Sequence, residues 1–546
     1  MDWVDYRQLP LSTGGFSELF FDYLYSFDEV RPFFASDFRD PASFASLLPS
    51  LTARSYDRRT LVGVLGEQNA SFGAPPKTFD HIALLKKPTT LAVVTGQQVG
   101  LFGGPLYTVF KTMTAVKLAV QLKTMFPAYD FVPVFWVEGE DHDFAEMNHT
   151  AVLNAENVVV RCEYLPGGTT PERNMGAVGE LVFDSFLEQT FVQLEEGIGK
   201  TEFSDTVLGM LKGCYRQGRS FNHAFAAWMT LLFQEYGLVF LSPNNAQLKK
   251  LCSPIFVREV SEFPRTSQLV ITKSAELEER YHAQIKAKSL NLFLFHKGGR
   301  YLIEPRETDF SLKGTRHFLT KDDLMRIANE TPELLSANVV LRPLTQDSLL
   351  PSIAYVAGPS EIAYHAQLRP VYQEFGIPQP VLYPRASASF VEERLRRAMD
   401  KYGLDLLEFF GDSGRIVARV VEQISDVKVE RIFGDAQRRV QETLNELKFG
   451  LGEIDPTLLG ALDGVRSKFD GNLAVLKEKA SAAQQRRNEA AVRQIERAAN
   501  GLLPGGTLQE RQLNVVQYLN KYGPDLMKWL GTELSMSGFK HQILTL

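Results

Sequence analysis

Cysteine is scarce: Cys162, Cys214 and Cys252 are the only three in 546 residues. None forms a C-x-x-C pair, so the spacing supplies neither a disulfide framework nor a cysteine-rich zinc site. Each reads as a small buried hydrophobe. No run approaches the roughly 18 consecutive apolar residues of a membrane-spanning helix. Met1-Asp2-Trp3-Val4-Asp5 lacks the basic start and apolar stretch of a secretory signal, so a cytoplasmic protein is expected. Excess positive charge is also missing. Lys and Arg number 59 against 65 Asp and Glu, a net charge of −6, which gives no electrostatic case for nucleic acid or an acidic membrane. The dinucleotide fingerprint G-x-G-x-x-G and the P-loop G-x-x-x-x-G-K-[ST] are both absent. The remainder is an ordinary globular composition, 44% apolar and 23% charged, long enough for two or three domains.

The most informative stretch is 91–149. Leu91 to Val94 is a short uncharged apolar run, as expected of a strand buried on both faces of a parallel sheet. Thr95 to Pro105 then holds four glycines in eleven residues, and helical spacing of apolar positions follows from Tyr107 to Met125. A second buried strand, Val132 to Val137, ends in Glu138-Gly139-Glu140-Asp141-His142-Asp143. Strand, Gly-rich loop, helix and strand make one βαβ crossover. In open α/β sheets ligands bind at the carboxyl ends of such strands, and a glycine loop entering a helix suits an anion. Lys111, one turn into the helix, adds a point charge.

Further along, 150–220 reads as an insertion. Ser220 to Tyr236 reads as a helix closed by Gly237, Leu238 to Leu241 as a third strand, and Ala246 to about Glu262 as another helix. A second insertion spans 263–340, with a hairpin on Leu292–Phe295 and Tyr301–Ile303 around Lys297-Gly298-Gly299-Arg300. In it Thr320-Lys321-Asp322-Asp323 has the chemistry of a capping box. Ser352 to His365 is again strand, Gly-Pro turn and helix, with Glu361 and His365 four apart on one face. Pro380 to Ser387 is a strand ending in Arg385 and a hydroxyl. This predicts an α/β core over 1–389. From about 390 charged helix formers dominate. A stripe through Phe433, Val440, Leu444 and Leu451 resumes at Leu458 and runs to Ala483, which predicts a coiled-coil arm over 390–505 whose second helix runs about 40 residues. The arm is expected to pair with a second copy as a homodimer. The tail 506–546 is expected to be helical and to return to the core.

Several segments together resemble one family. T-G-Q-Q-x-G-L-x-x-G-P-x-Y-T-x-x-K, F-W-V-x-G-E-D-H-D-F-x-E-x-N-H, L-R-P-L-x-Q-D, G-P-S-E-I-A-Y and L-Y-P-R-A-S, with the Q-E-R-Q-L-N tail, are similar to the BshC family, cysteine ligases of bacillithiol biosynthesis. The likeness departs at His365, where the family pattern more often has an aromatic residue. It implies a Rossmann-type core with two insertions, a coiled-coil dimerisation arm, and a reaction joining the carboxyl of cysteine to the amine of glucosaminyl malate. The layout is more loosely similar to the nucleotidyl-transfer fold of class I aminoacyl-tRNA synthetases. The chain copies neither signature of that fold, which leaves ATP use open.

Amide formation from a carboxylate needs activation and a base for the attacking ammonium. The expected catalytic residues are His142, Asp141 and Asp143, with His142 as base because its ordinary pKa lies near neutrality. The expected substrate and phosphate contacts are Thr95, Gln97, Gln98, Gly100, Gly103, Gly104, Tyr107, Lys111, Glu138, His149, Gly358, Ser360, Glu361, Tyr364, Arg385 and Ser387. No metal is expected. Two alternatives stay open: a metal-dependent hydrolase or amidase using Asp141, His142, Glu361 and His365, although no H-E-x-x-H spacing supports it, and a non-enzymatic scaffold worked by the arm.

Overall fold

The computed structural model describes residues 2–9, 16–169, 174–287 and 289–546. They form two compact units, Met1–Phe390 with Pro504–Leu544, and Val391–Leu503 with Thr545–Leu546.

The first unit is built on a five-stranded parallel sheet. Its strands are β1 (Thr90–Gln98), β2 (Asp130–Glu138), β3 (Val239–Leu241), β4 (Ser352–Ala357) and β5 (Val381–Pro384), in the order β5-β4-β1-β2-β3. From β1 the chain winds outward to β2 and β3, then returns to the other side of β1 for β4 and β5. The strand order therefore reverses between β1 and β4, and a crevice opens at their carboxyl ends. Leu91, Ala92, Val93 and Val94 are wholly buried, as a strand covered on both faces requires.

β1 runs four residues beyond the apolar stretch, with Gln98 opposite Glu138. Gly96 lets it do so, since a Cβ there would lie 2.9 Å from the Trp136 carbonyl oxygen. The expected glycine loop thus begins only after Gln98, and the strand carries two glutamines to the rim. Helix α1 (Leu106–Met125) follows. Helix α2 (Phe221–Leu232) stops short of the expected Tyr236, although Gly237 does adopt the left-handed φ of 64°. Helix α3 (Pro359–His365) follows β4.

The second insertion forms a five-stranded antiparallel sheet. Leu292–His296 and Gly299–Pro305 are its central hairpin, turning at Lys297 and Gly298 with φ of 47° and 81°. Gly299 and Arg300, expected in the turn, are therefore strand residues, with Arg300 opposite Phe295. The capping box is formed: Thr320 Oγ1 accepts from the Asp323 N–H at 3.1 Å, and Asp323 Oδ2 accepts from the Thr320 N–H at 3.1 Å. The tail is helical over Gln509–Gln512, Val515–Tyr522 and Leu526–Glu533, but it ends in a strand, His541–Thr545, antiparallel to Asp2–Val4. Its alternation is too short to read as a strand without the partner at the other end of the chain.

The second unit is helical. Helices α4 (Val429–Ile454) and α5 (Leu458–Arg487) form its long hairpin. In place of a single helix of about 40 residues, α5 has 30 and is interrupted at Asn488. Asn488 Nδ2 donates to the Ser425 hydroxyl and to the Gln484 carbonyl, a local bond that competes with helix continuation. No helix among the described residues is long and apolar enough to cross a membrane.

Candidate functional site

The crevice between β1 and β4 holds a cavity of about 700 Å3. Segments far apart in sequence meet there: Gln97 and Gln98 from β1, Glu138 from β2, Asp141 and His142 beyond it, Tyr107 and Lys111 from α1, Gly358, Glu361 and Tyr364 at α3, and Arg385.

Its floor is a buried network. Lys111, 1% exposed, lies 2.5 Å from Glu361 Oε2 and donates to the Gly96 carbonyl at 2.6 Å. Glu361 also accepts from Tyr355 O–H at 2.6 Å and from the Gly358 N–H at 2.7 Å. Burial alone would raise the Glu361 carboxyl, but Lys111 beside it outweighs this and holds it below the usual range. Arg342 donates to the Tyr364 hydroxyl at 3.0 Å, and burial pushes that phenol up to about 12. Lys111 is therefore committed to Glu361 and is not a loose point charge.

On the β2 side, Glu138 Oε2 accepts from Trp136 Nε1 at 3.0 Å. Burial raises its carboxyl above the ordinary range, and Glu140 adds to the effect. Among the described residues no cation stands within ion-pair distance of Glu138, whereas Asp141 and Glu361 each have one.

The outer wall comes from the second insertion. Arg300 is 6% exposed. Its Nε donates to Ser336 Oγ at 3.0 Å, its Nη2 to the Ala337 carbonyl at 3.1 Å, and its guanidinium lies 3.8 Å from the Phe293 ring centre. Nη1 meets Asp141 Oδ1 at 3.4 Å and His142 Nδ1 at 3.3 Å. Burial would raise Asp141, but His142, Arg300 and Gln98 hold it well below its usual value. Gln98 Nε2 donates to Asp141 Oδ2 at 2.8 Å, and Gln97 Nε2 to the Tyr107 hydroxyl at 3.2 Å. Arg385 Nη2 donates to Glu510 Oε1 at 2.8 Å, with both groups nearly enclosed. Ser360 lines the cavity as well.

Other expected contacts lie elsewhere. Gly100 and His149 line a smaller adjoining cavity of about 180 Å3 that shares Gln97, Gln98, Tyr107, Glu146 and Arg511 with the main one. His149 Nδ1 lies 3.0 Å from the Ala145 carbonyl. Gly103 and Gly104 do not line the main cavity. Gly103, with φ of 93°, gives its N–H to the Tyr215 hydroxyl and abuts Trp228, while Asn514 Nδ2 donates to the Phe102 and Gly104 carbonyls. The Leu106 N–H goes to the Leu513 carbonyl. This loop is packed against the tail, with the Gly103 and Leu106 N–H groups already bonded within the protein. Thr95 Oγ1 ties β1 to the Val356 carbonyl, Asp143 caps a short helix through the Glu146 N–H, and Ser387 Oγ pairs with His541 Nδ1 at 2.8 Å. These three do not line the cavity.

His365 is enclosed and stacks on Tyr364, with ring centres 4.8 Å apart and neither nitrogen bonded among the described residues. No three His, Cys, Asp or Glu side chains among the described residues gather as a metal site would require. Burial lowers the His365 pKa to about 3. A lowered histidine contributes stability that is complete above about 6.5 and is lost as pH falls towards 3. Replacing His365 by Phe is expected to stabilise the protein by on the order of 2–4 kcal/mol at pH 4 and much less at pH 7.5, read as thermal melts across that range.

Sequence reading missed Arg300, Arg342, Tyr355 and Arg511. Arg342 sits inside the quoted L-R-P-L segment, and Arg511 inside Q-E-R-Q-L-N. Arg300 carried no sequence signal beyond a hairpin.

Comparison with known proteins agrees with this architecture. The family profile described as "Bacillithiol biosynthesis BshC, N-terminal Rossmann-like domain" matches residues 4–386, and its C-terminal coiled-coil counterpart matches 388–546. Relatives named "Putative cysteine ligase BshC" include one from Salinibacter ruber, 39% identical over 99% of this chain and 98% of its own length. Another, from Chloroherpeton thalassium, is 36% identical over 98% of both chains. A third, from Geobacillus, is 31% identical over 96% of this chain and 97% of its own. With both family domains matched from end to end, the chain belongs to the BshC family of bacillithiol biosynthesis.

Proposed function

We propose that this protein joins the carboxyl of cysteine to the amine of glucosaminyl malate. One observation carries the reading: a cavity of about 700 Å3 at the switch point holds cations and carboxylates side by side. Its volume is that of a small-molecule site. Arg342 and Arg385 suit the two carboxylates of the malate group, since a guanidinium pairs with a carboxylate at two points. Glu138 and the glutamines face the sugar and its amine.

Amide formation makes a C–N bond and breaks the C–O bond to the leaving group of an activated carboxyl. Of the two protons the substrate ammonium loses, one departs with the leaving group and the other, removed so that the amine can attack, must go to a base. Glu138 takes that proton. Among the described residues the cavity carboxylates without a cation are Glu138 and Glu146. Glu138 is the less exposed of the two, and its raised pKa matches a base working near neutrality better than the depressed Asp141 does. The Gly103–Gly104 turn, whose N–H groups are bonded to the Tyr215 hydroxyl and the Leu101 carbonyl, does not fit a nucleotide phosphate. The long helical hairpin is proposed to pair with a second copy: Phe449 and Ile454 near its tip are 80% and 76% exposed. Light scattering on the intact protein is expected to give twice the chain mass.

The test is incubation of purified protein with glucosaminyl malate, cysteine and ATP, each omitted in turn, with product read by mass. A product equal to the two substrates less one water, needing both of them, is expected. Its absence with all three present rejects the reading.

A further inference from the structure

We propose that Arg300, supplied by the second insertion, is a positioning residue that fixes His142 as an Nε2–H donor to an oxygen of the bound acyl group. This rests on the ligase reading of the cavity. The argument is one of donors and acceptors. A guanidinium has five N–H donors and no acceptor, and Arg300 Nη1 lies 3.3 Å from His142 Nδ1. A hydrogen on Nδ1 would set donor against donor. The rival arrangement gives Nδ1–H to Asp141 Oδ1, 3.4 Å away. That oxygen already accepts the His142 backbone N–H at 2.7 Å and faces Arg300 as well. Arg300 cannot swing aside, because its other nitrogens are bonded to Ser336 and Ala337 and its plane rests on Phe293. Phe293 also packs on the imidazole, with ring centres 5.7 Å apart.

With Nδ1 accepting, the ring hydrogen is on Nε2. Among the described residues no group meets Nε2, and His142 lines the cavity. A neutral imidazole held this way is an electrophile. It offers a hydrogen bond to the oxygen that gains negative charge when an amine attacks an activated carboxyl, while Glu138 receives the proton. The insertion thus reaches the reacting atoms through Arg300 without touching them itself.

The experiment uses intact protein labelled with 15N-histidine, in two-bond 1H–15N correlation spectra, with the His142 signals assigned by their loss in His142→Gln. The expected spectrum at pH 7.5 shows a protonated Nε2 and an unprotonated Nδ1. In Arg300→Gln the Nδ1–H form should gain population and kcat should fall roughly 10²-fold, with KM changed less than threefold. Arg300→Lys, which still donates, should keep the wild-type tautomer and most of kcat. Thermal melts confirm that the variants are folded. An Nδ1–H tautomer in the wild type, or one unmoved in folded Arg300→Gln, overturns the proposal. The spectrum needs no substrate and no turnover, so a failed ligase assay with the expected tautomer rejects the reaction and not the positioning.

Discussion

Replacing Glu138 by Gln should lower kcat by about 10²- to 10⁴-fold, the span that general-base catalysis contributes, and leave the melting temperature close to that of the wild type. The amide preserves volume, and its oxygen can still accept from Trp136 Nε1. What disappears is the capacity to take a proton. The pH profile makes the test sharper. Burial raises the Glu138 carboxyl above its ordinary range, so the wild-type rate should climb with pH through that raised value as the base becomes ionised. In Glu138→Gln that acidic limb should be gone from the residual rate. His142→Gln should reduce the rate and keep the limb. If the limb vanishes with His142 and persists without Glu138, the proton acceptor is the histidine and the two side chains exchange roles.

Most of the core could be read from the sequence, because its signals are local. The runs at Leu91–Val94, Val132–Val137 and Leu238–Leu241 announce buried strands, and three of the five core strands end where polar residues cluster. That clustering was enough to bring Gln98, Asp141, Glu361 and Arg385 together on paper, and the cavity contains all four. Other features depend on partners distant in sequence. Gly103 and Gly104 look like a phosphate loop until Asn514, some 410 residues away, is seen bonded to the Gly104 carbonyl. Lys111 looks like a free charge until Glu361 closes on it. Ser387 stands two residues after Arg385 in sequence, yet it opens a separate strand, Ser387–Val391, and its hydroxyl pairs with His541 outside the cavity. The glycines beside Arg300 suggest a longer turn that would include it. A two-residue turn at Lys297 and Gly298 places it in the strand instead.

The second large effect concerns Arg385, where binding and folding must be separated. Arg385→Met should destabilise the protein by about 3–5 kcal/mol, because removing one member of a buried pair strands the other charge. The stranded group is Glu510, whose exposure in the pair is 1% against 4% for Arg385. Burial would raise Glu510, and Arg385 is what holds it below the ordinary carboxylate range. Without the arginine that restraint is lost, and Glu510 should fold most easily protonated. A carboxyl raised in the folded state costs stability as pH rises, so the variant should be weakest at pH 8 and recover towards pH 5. Denaturant unfolding at the two pH values reads this directly. Adding Glu510→Gln removes the stranded charge while keeping an acceptor for the Ala388 N–H that Glu510 Oε2 now serves at 3.1 Å. The double variant should therefore recover most of the stability and lose the pH slope. Its kinetics then isolate the other role. Arg385 lines the cavity and touches Glu510 at once, so a stable double variant with KM raised tenfold or more for the dicarboxylate substrate assigns Arg385 to binding. Wild-type KM in that variant would mean the pair only fastens the C-terminal segment to the sheet, leaving Arg342 to hold the malate carboxylates.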